Sequence, residues 1–293
     1  MIVSRSIRGI RRIIQAVKKK GQVIGFVPTM GALHEGHLSL VRAARKQTDY
    51  VVVSIFVNPT QFGSGEDFRK YPRTFSYDKE LLEKERVNLL FYPDVKTMYT
   101  EDFSTYVEEI SLSKYLCGKS RPGHFRGVCT VVAKLFNIIQ PDVAYFGQKD
   151  YQQAQIIKRM VADLNFPIRI KVMPIVRHKD GLAMSSRNQY LASNERKVAP
   201  VLFEALSLGK RLIKEGHKDA SFIKEKMVEH IKKKCRSARI DYVSVVDHKK
   251  LVDVKVVKGK VLLALAVYIG RARLIDNMLV SARKRKMNDR QEN

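Results

Sequence analysis

The chain has 293 residues, three cysteines and a formal net charge of +26. That length allows a sizeable core and two domains, and a hydrophobic content of 45% with 29% charged residues is that of an ordinary globular protein. No apolar run approaches the ~20 residues that span a bilayer, and a few cysteines without a C-x-x-C argue against a disulfide framework or a zinc ribbon and fit a reducing cytosol. The positive charge reads either as attraction to polyanions or as a lysine-rich solvated surface. Its dispersal, without aromatics interleaved along one stripe, favours the second.

The chain opens with MIVSRSIRGIRRIIQAVKKK, which is basic from the outset. Without a discrete apolar h-region it is read as an opening helix and not as a cleaved secretory signal. Residues 22–28 (QVIGFVP) form a short apolar strand, and 36–47 a helix with Leu38, Leu40, Val41 and Ala44 on its apolar side. Residues 50–57 (YVVVSIFV) are nearly all β-branched or aromatic, the pattern of a strand buried on both faces. A helix over 77–85, a strand over 87–92, an apolar helix over 127–139, a strand over 144–147, a helix over 151–165 and a strand over 168–176 follow. Strands alternating with helices imply βαβ units and a parallel sheet, hence an α/β fold. After Val176 the pattern changes. A turn-rich segment, RHKDGLAMSSRN, leads to helices over 193–215 and 219–235 and to strand-like runs at 240–246, 251–254 and 260–269. Residues 1–176 are therefore expected to be one domain, and 177–293 a small α+β domain with an antiparallel sheet, ending in the polar tail ARKRKMNDRQEN.

Two segments carry most of the chemistry. FVPTMGALHEGHL lies where the first strand hands over to a helix, and open parallel sheets bind ligands outside the carboxyl ends of their strands. Gly31 and Gly36 allow tight backbone. His34 and His37, three apart, share one face of the helix start, where the dipole favours an anion. Their imidazole N–H groups can donate to a phosphate and stabilise charge in a transition state. Read alone, the pair is equally well two ordinary capping or surface histidines. A metal site has less support, because no further His or Cys lies near and HExxH spacing is absent. The second segment is AMSSRN, where Ser185, Ser186 and the planar fork of Arg187 suit a phosphate clamp on a loop. Gln61, in FVNPTQF, projects from a loop at a strand's carboxyl edge, and its amide can both donate and accept. In FGQKDYQQ, Gly147 ends a strand, Lys149 offers a point charge and Asp150 can cap the next helix. The basic loop RPGHFR could close one side of a pocket or simply shape a turn.

Together, an H-x-G-H after the first strand and a Met-Ser-rich basic loop much later resemble the paired motifs of the nucleotidylyltransferase superfamily. PTMGALHEGHLSL, FVNPTQF, DFRKYPRT, RPGHFRGVCTVVAKLFN, FGQKDYQQ, MSSRN and RLIDN stand in the order found in the pantothenate synthetase family, over residues 24–278. The resemblance implies a Rossmann-like nucleotide-binding domain followed by a lid, with the site between them. It implies ATP-dependent ligation of pantoate to β-alanine through a pantoyl adenylate, in a cytoplasmic homodimer with no nucleic-acid or membrane partner. It further implies that Met30, Gly31, His34, His37, Gly147, Gln148, Lys149, Asp150, Val176, Met184, Ser185, Ser186 and Arg187 line the ATP site. Gln61 and Gln153 read pantoate, and Gln61 extends to β-alanine. Gln148 stands where many relatives carry Glu and is not expected to be catalytic. Catalysis is expected of His34, His37, Lys149 and Arg187 with Mg2+, for which Asp78 is the expected protein ligand or water-mediated partner.

Overall fold

A computed structural model describes residues 1–282; the polar tail beyond them lies outside the described residues. The chain divides into two compact units, Met1–Gln189 and Tyr190–Asn293. The first runs β1 (Ile2–Ser4), α1 (Ile7–Lys19), β2 (Ile24–Thr29), α2 (Glu35–Gln47), β3 (Tyr50–Ile55), α3 (Phe75–Lys84), β4 (Leu89–Phe91), α4 (Val95–Met98), α5 (Leu116–Ser120), α6 (His124–Ile139), β5 (Val143–Gly147), α7 (Tyr151–Asp163) and β6 (Arg169–Met173). Its six strands form one sheet in the order β1-β4-β3-β2-β5-β6, every pair parallel. This is the parallel sheet expected from the alternation of strands and helices, in the Rossmann-like arrangement that the resemblance implies.

The elements follow from local chemistry. Ser6 caps α1 by accepting from the Gly9 N–H, and Ile10, Ile14 and Val17 repeat at helical spacing on the buried side. The sheet's centre is dry because β2 and β3 supply Val27, Val51, Val53 and Ile55 to a core closed by Leu40, Val41, Leu82 and Leu90. Phe26 meets Phe136 of α6 edge to face at 6.4 Å; burying such a ring stabilises by about 1.5–3 kcal/mol. The opening strand β1 departs from the helix expected there. Three residues are too few to show a period, and their pairing with Leu89–Phe91 of β4 is a tertiary contact.

The second unit holds α8 (Ser193–Val198), α9 (Val201–Glu215), α10 (Ala220–Lys234), β7 (Arg239–Asp247), β8 (Lys260–Ile269) and β9 (Ala272–Ser281). The three strands form an antiparallel sheet in sequence order. Pro200 divides the expected helix over 193–215 into α8 and α9. The expected strand at 251–254 is irregular backbone that follows a turn at 248–250. Leu251 sits at φ +59, and only Asp253 bridges back, to Val246. The third strand is β9, which carries RLIDN and buries Asp276 and Asn277. Polar residues at its centre hid it from a hydrophobic pattern. The structure divides the chain at Gln189, not at Val176, so MSSRN falls in the first unit. It is tied there by the Met184 N–H to the Val176 carbonyl and by the Ser186 hydroxyl to the Ala32 carbonyl.

Candidate active site

In the first unit β2 lies between β3 and β5, so the chain leaves β2 to one side and returns on the other. Such a switch point opens a crevice at the strands' carboxyl ends. β2 and β5 pair only at Gly25–Val143 and Phe26–Ala144, and the loops that leave them carry His34 and Lys149.

The loop after β2 turns through two left-handed residues, Gly31 at φ +83 and Ala32 at φ +49. The second costs about 1–2 kcal/mol for a residue with a Cβ, so something must hold it. Asp78, 1% exposed, does so. It accepts from the Ala32 N–H at 2.9 Å, the Leu33 N–H at 2.8 Å and the Thr74 hydroxyl at 3.1 Å. Burial pushes its carboxyl up from the usual carboxylate range, against the pull of those donors. Asp78 as a Mg2+ ligand is thereby corrected: both its oxygens are spent on the loop and water barely reaches it.

His34 is the N-cap of α2, and here the two histidines cap reciprocally. The Gly36 N–H donates to His34 Nδ1 at 3.1 Å, and the His34 N–H donates to His37 Nδ1 at 3.3 Å. A ring nitrogen that accepts carries no proton, so each neutral imidazole has its proton on Nε2. The rings lie 4.1 Å apart. Burial, the neighbouring His37 and the charge of Lys149 lower His34 to about 3. Burial and Lys149 lower His37 to about 4. At neutral pH the pair is therefore two uncharged Nε2–H donors. Gly36 is required because a Cβ there would stand 2.8 Å from His34 Cε1. The same loop uses its own backbone donors: the N–H groups of Gly31, Ala32, Leu33, His34, Gly36 and His37 all have partners within the protein. Side chains, more than the helix terminus, are left to meet an anion.

After β5, the turn Gln148–Asp150 leads into α7. Lys149 Nζ lies 3.6 Å from Asp150 Oδ2. Asp150 occupies the N-cap position of α7 but makes no capping hydrogen bond, contrary to the sequence reading. A Cβ on Gly147 would meet nothing within 4 Å, so this backbone faces open space. Met184 lies beside the histidine loop, its Cβ 3.9 Å from where a Gly36 Cβ would be.

Two members of the phosphate clamp read from MSSRN are already engaged. Ser186 donates to the Ala32 carbonyl at 3.1 Å. Arg187 makes a two-pronged pair with Asp67, Nε to Oδ2 at 3.0 Å and Nη2 to Oδ1 at 2.9 Å. Ser185 Oγ accepts from the Arg187 N–H at 3.3 Å.

Gln61, 8% exposed, is fixed from several sides. Its Oε1 accepts from Asn58 Nδ2 at 3.1 Å and its Nε2 contacts Met30 Sδ at 3.0 Å. Asn58 also donates to the Gly127 carbonyl and accepts from the Tyr99 hydroxyl at 2.7 Å. The Gln61 carbonyl accepts from His124 Nδ1 at 2.8 Å and from Arg121, which forks onto Glu66. Burial and Arg121 lower His124 to about 4, so its proton sits on Nδ1. The loop RPGHFR is thus a brace for Gln61. A Gly127 Cβ would stand 2.2 Å from the Thr60 carbonyl oxygen, which brings α6 directly against this turn. Gln153 is half-buried in the first turn of α7. Its neighbour Gln152 is buried, donating to the Leu112 and Tyr115 carbonyls and accepting from the Cys117 N–H. Sequence reasoning missed Asn58, Asp67 and Glu66. The first two lie in the quoted motifs, and only their partners reveal their use.

A family model described as Pantoate-beta-alanine ligase matches residues 2–279. The pantothenate synthetase of Caldicellulosiruptor bescii is 55% identical over 283 residues, covering 97% of this chain and 100% of that protein. That of Thermotoga petrophila is 54% identical over 280 residues, 96% of this chain and 100% of the relative. Among solved structures, the pantothenate synthetase of Thermus thermophilus superposes with a TM-score of 0.90 at 42% identity, over 95% of this chain and 99% of its own. The pantoate-beta-alanine ligase of Francisella tularensis, complexed with beta-gamma ATP and beta-alanine, superposes with a TM-score of 0.80 at 37% identity, over 95% and 97%.

Proposed function

This chain belongs to the pantoate–β-alanine ligase family, and from that premise we propose how its residues divide the reaction. The enzyme condenses pantoate with β-alanine at the expense of ATP, giving pantothenate, AMP and pyrophosphate through a pantoyl adenylate. In the first step a pantoate carboxylate oxygen attacks the α-phosphorus, and the bond to the bridging oxygen of pyrophosphate breaks. In the second, the β-alanine amine attacks the acyl carbonyl, AMP leaves, and the amine's proton passes to solvent.

The observation that carries the assignment is the reciprocal cap: two neutral Nε2–H donors on one rigid helix start, close enough to Lys149 to feel its charge. Such donors stabilise the charge growing on the α-phosphate without reorganising. Lys149 acts as a point charge on the triphosphate, and Arg187 adds the guanidinium edge that Asp67 leaves open. Met30, Gly31, Gly147, Gln148, Asp150, Val176, Met184 and Ser185 are assigned to the nucleotide's surroundings, with Ser186 holding the histidine loop through Ala32. Gln61, whose Oε1 is occupied by Asn58, presents its Nε2–H to pantoate. Gln153 supplies the second amide.

Mg2+ is the cofactor this chemistry calls for. Among the described residues no group of three or more His, Cys, Asp or Glu side chains could hold a metal, and Asp78 is spent on the loop. Mg2+ would be held chiefly by the nucleotide's own phosphates and water, as is usual for that ion. Every proposed contact lies in the first unit. Among the described residues no helix is long and apolar enough to cross a membrane. A cytoplasmic homodimer without nucleic-acid partners is the form we assign. The test is AMP and pyrophosphate release by the purified protein. AMP should require both pantoate and β-alanine, with pyrophosphate appearing in a burst on pantoate and ATP alone. AMP release indifferent to either acid would refute the assignment.

A further inference from the structure

We propose that Asp67 is the positioning residue of Arg187, holding one edge of its guanidinium so that the other is aimed, already ordered, at the triphosphate. This rests on the assignment of Arg187 to the nucleotide. A guanidinium carries five N–H donors on its planar edges. Asp67 takes the edge formed by Nε and Nη2, at 3.0 and 2.9 Å. The edge formed by Nη1 and the second Nη2 proton makes no hydrogen bond among the described residues. An anion can therefore bind bidentately without displacing Asp67.

The pair is built in from both sides. Asp67 opens the short 3-10 turn Asp67–Arg69, which the Lys70 N–H closes onto the Asp67 carbonyl. Tyr71, 5% exposed, lies under the guanidinium with its ring centroid 5.9 Å from Cζ. Ser186, the residue before Arg187, donates to the Ala32 carbonyl in the histidine loop. Through this bond the segment that carries Arg187 is tied to the loop that carries His34 and His37. Arg187 is also near enough to Asp150 to feel its charge. A free arginine on a loop would have to give up many rotamers on binding. The carboxylate removes that cost in advance, at the expense of neutralising part of the long-range attraction for ATP. Its benefit belongs to orientation in the adenylation step, not to capture of ATP.

The experiment is a double-mutant cycle on pyrophosphate release, using Asp67→Asn, Asp67→Glu, Arg187→Ala and the Asp67→Asn/Arg187→Ala pair. We expect Asp67→Asn to lower kcat by roughly 10- to 100-fold with KM for ATP within about 3-fold, since lost orientation is felt in the chemical step. Asp67→Glu, which keeps the charge and both acceptors, should recover part of the loss. In the Arg187→Ala background Asp67→Asn should cost less than about 2-fold, because its effect runs through the absent guanidinium. Losses that multiply instead of merging would overturn the proposal, as would an Asp67→Asn enzyme that binds ATP more tightly and turns over faster, the signature of an inhibitory latch. An Arg187→Ala enzyme with undiminished pyrophosphate release would refute the assignment of Arg187 itself. Impaired Arg187→Ala with multiplying losses refutes the positioning role alone. Conversion of supplied pantoyl adenylate with β-alanine checks that each variant is folded.

Discussion

One pair of substitutions separates the cap that His34 makes from the donor role proposed for it. Its Nδ1 caps α2 through the Gly36 N–H, and its Nε2–H faces away from that bond. Asparagine is among the best N-cap residues, so His34→Asn keeps an acceptor for the helix start but has no ring to reach a phosphate. His34→Ala removes both. Losing an N-cap costs about 0.5–2 kcal/mol, typically ~1, and in a unit of 189 residues each kcal/mol lowers Tm by about 2–4 °C. Losing one preorganised donor to a charged transition state costs about 10²–10³ in rate. We therefore expect both variants to lose roughly 10²–10³ in pyrophosphate release, with only His34→Ala melting about 2–4 °C lower. Single-turnover pyrophosphate release and differential scanning calorimetry measure the two quantities. Undiminished pyrophosphate release in His34→Asn would show that the ring donates nothing to the reaction. Equal melting temperatures for the two variants would show that the Nδ1 bond contributes nothing to α2.

Gln61→Ala should weaken pantoate use by about 1–3 kcal/mol, the range for losing a buried polar contact, while KM for ATP stays unchanged; matched losses on both substrates would place the residue elsewhere. Acid should destabilise the protein in a defined window. His34 and His37 drop from 6.5 to about 3 and about 4 on folding, so the unfolded chain binds more protons below pH 6.5 and stability falls from there towards pH 4. Replacing His37 with Gln should flatten that slope in urea titrations taken at several pH values, and an unchanged slope would contradict the burial of its ring. Gly127→Ala forces a methyl to 2.2 Å from the Thr60 carbonyl oxygen. It should displace the Asn58–Gln61 turn and raise KM for pantoate more than KM for ATP; wild-type kinetics would rule out that close approach.

Much of this protein could be read before its structure. The β-branched run at Tyr50–Ile55, the apolar helix α6 and the strand-to-helix junction at HEGH announce a parallel sheet and its ligand-binding end. What stayed hidden depends on partners distant in sequence. Asp78 looked like a helix-surface carboxylate fit for a metal, and only its bonds to Ala32 and Leu33, 46 and 45 residues away, show a brace. Asp67 and Arg187 stand 120 residues apart, and neither carries a mark of the other. Strand β1 was too short to show a period, and β9 interrupts its apolar pattern with Asp276 and Asn277. The unit boundary shifted because Ser186 and Met184 are held by backbone groups, which composition does not report.

The reciprocal histidine cap also makes the site readable through its main chain. The amide protons of His34 and Gly36 are each donated to a histidine ring, at 3.3 and 3.1 Å. Their exchange with solvent deuterium depends on where those rings sit. A nucleotide that leaves the rings in place should slow exchange at both amides, and one that draws a ring off its cap should speed exchange at one of them while the rest of α2 stays protected. Two backbone protons thus act as a gauge of side-chain position during binding, without a label on either histidine.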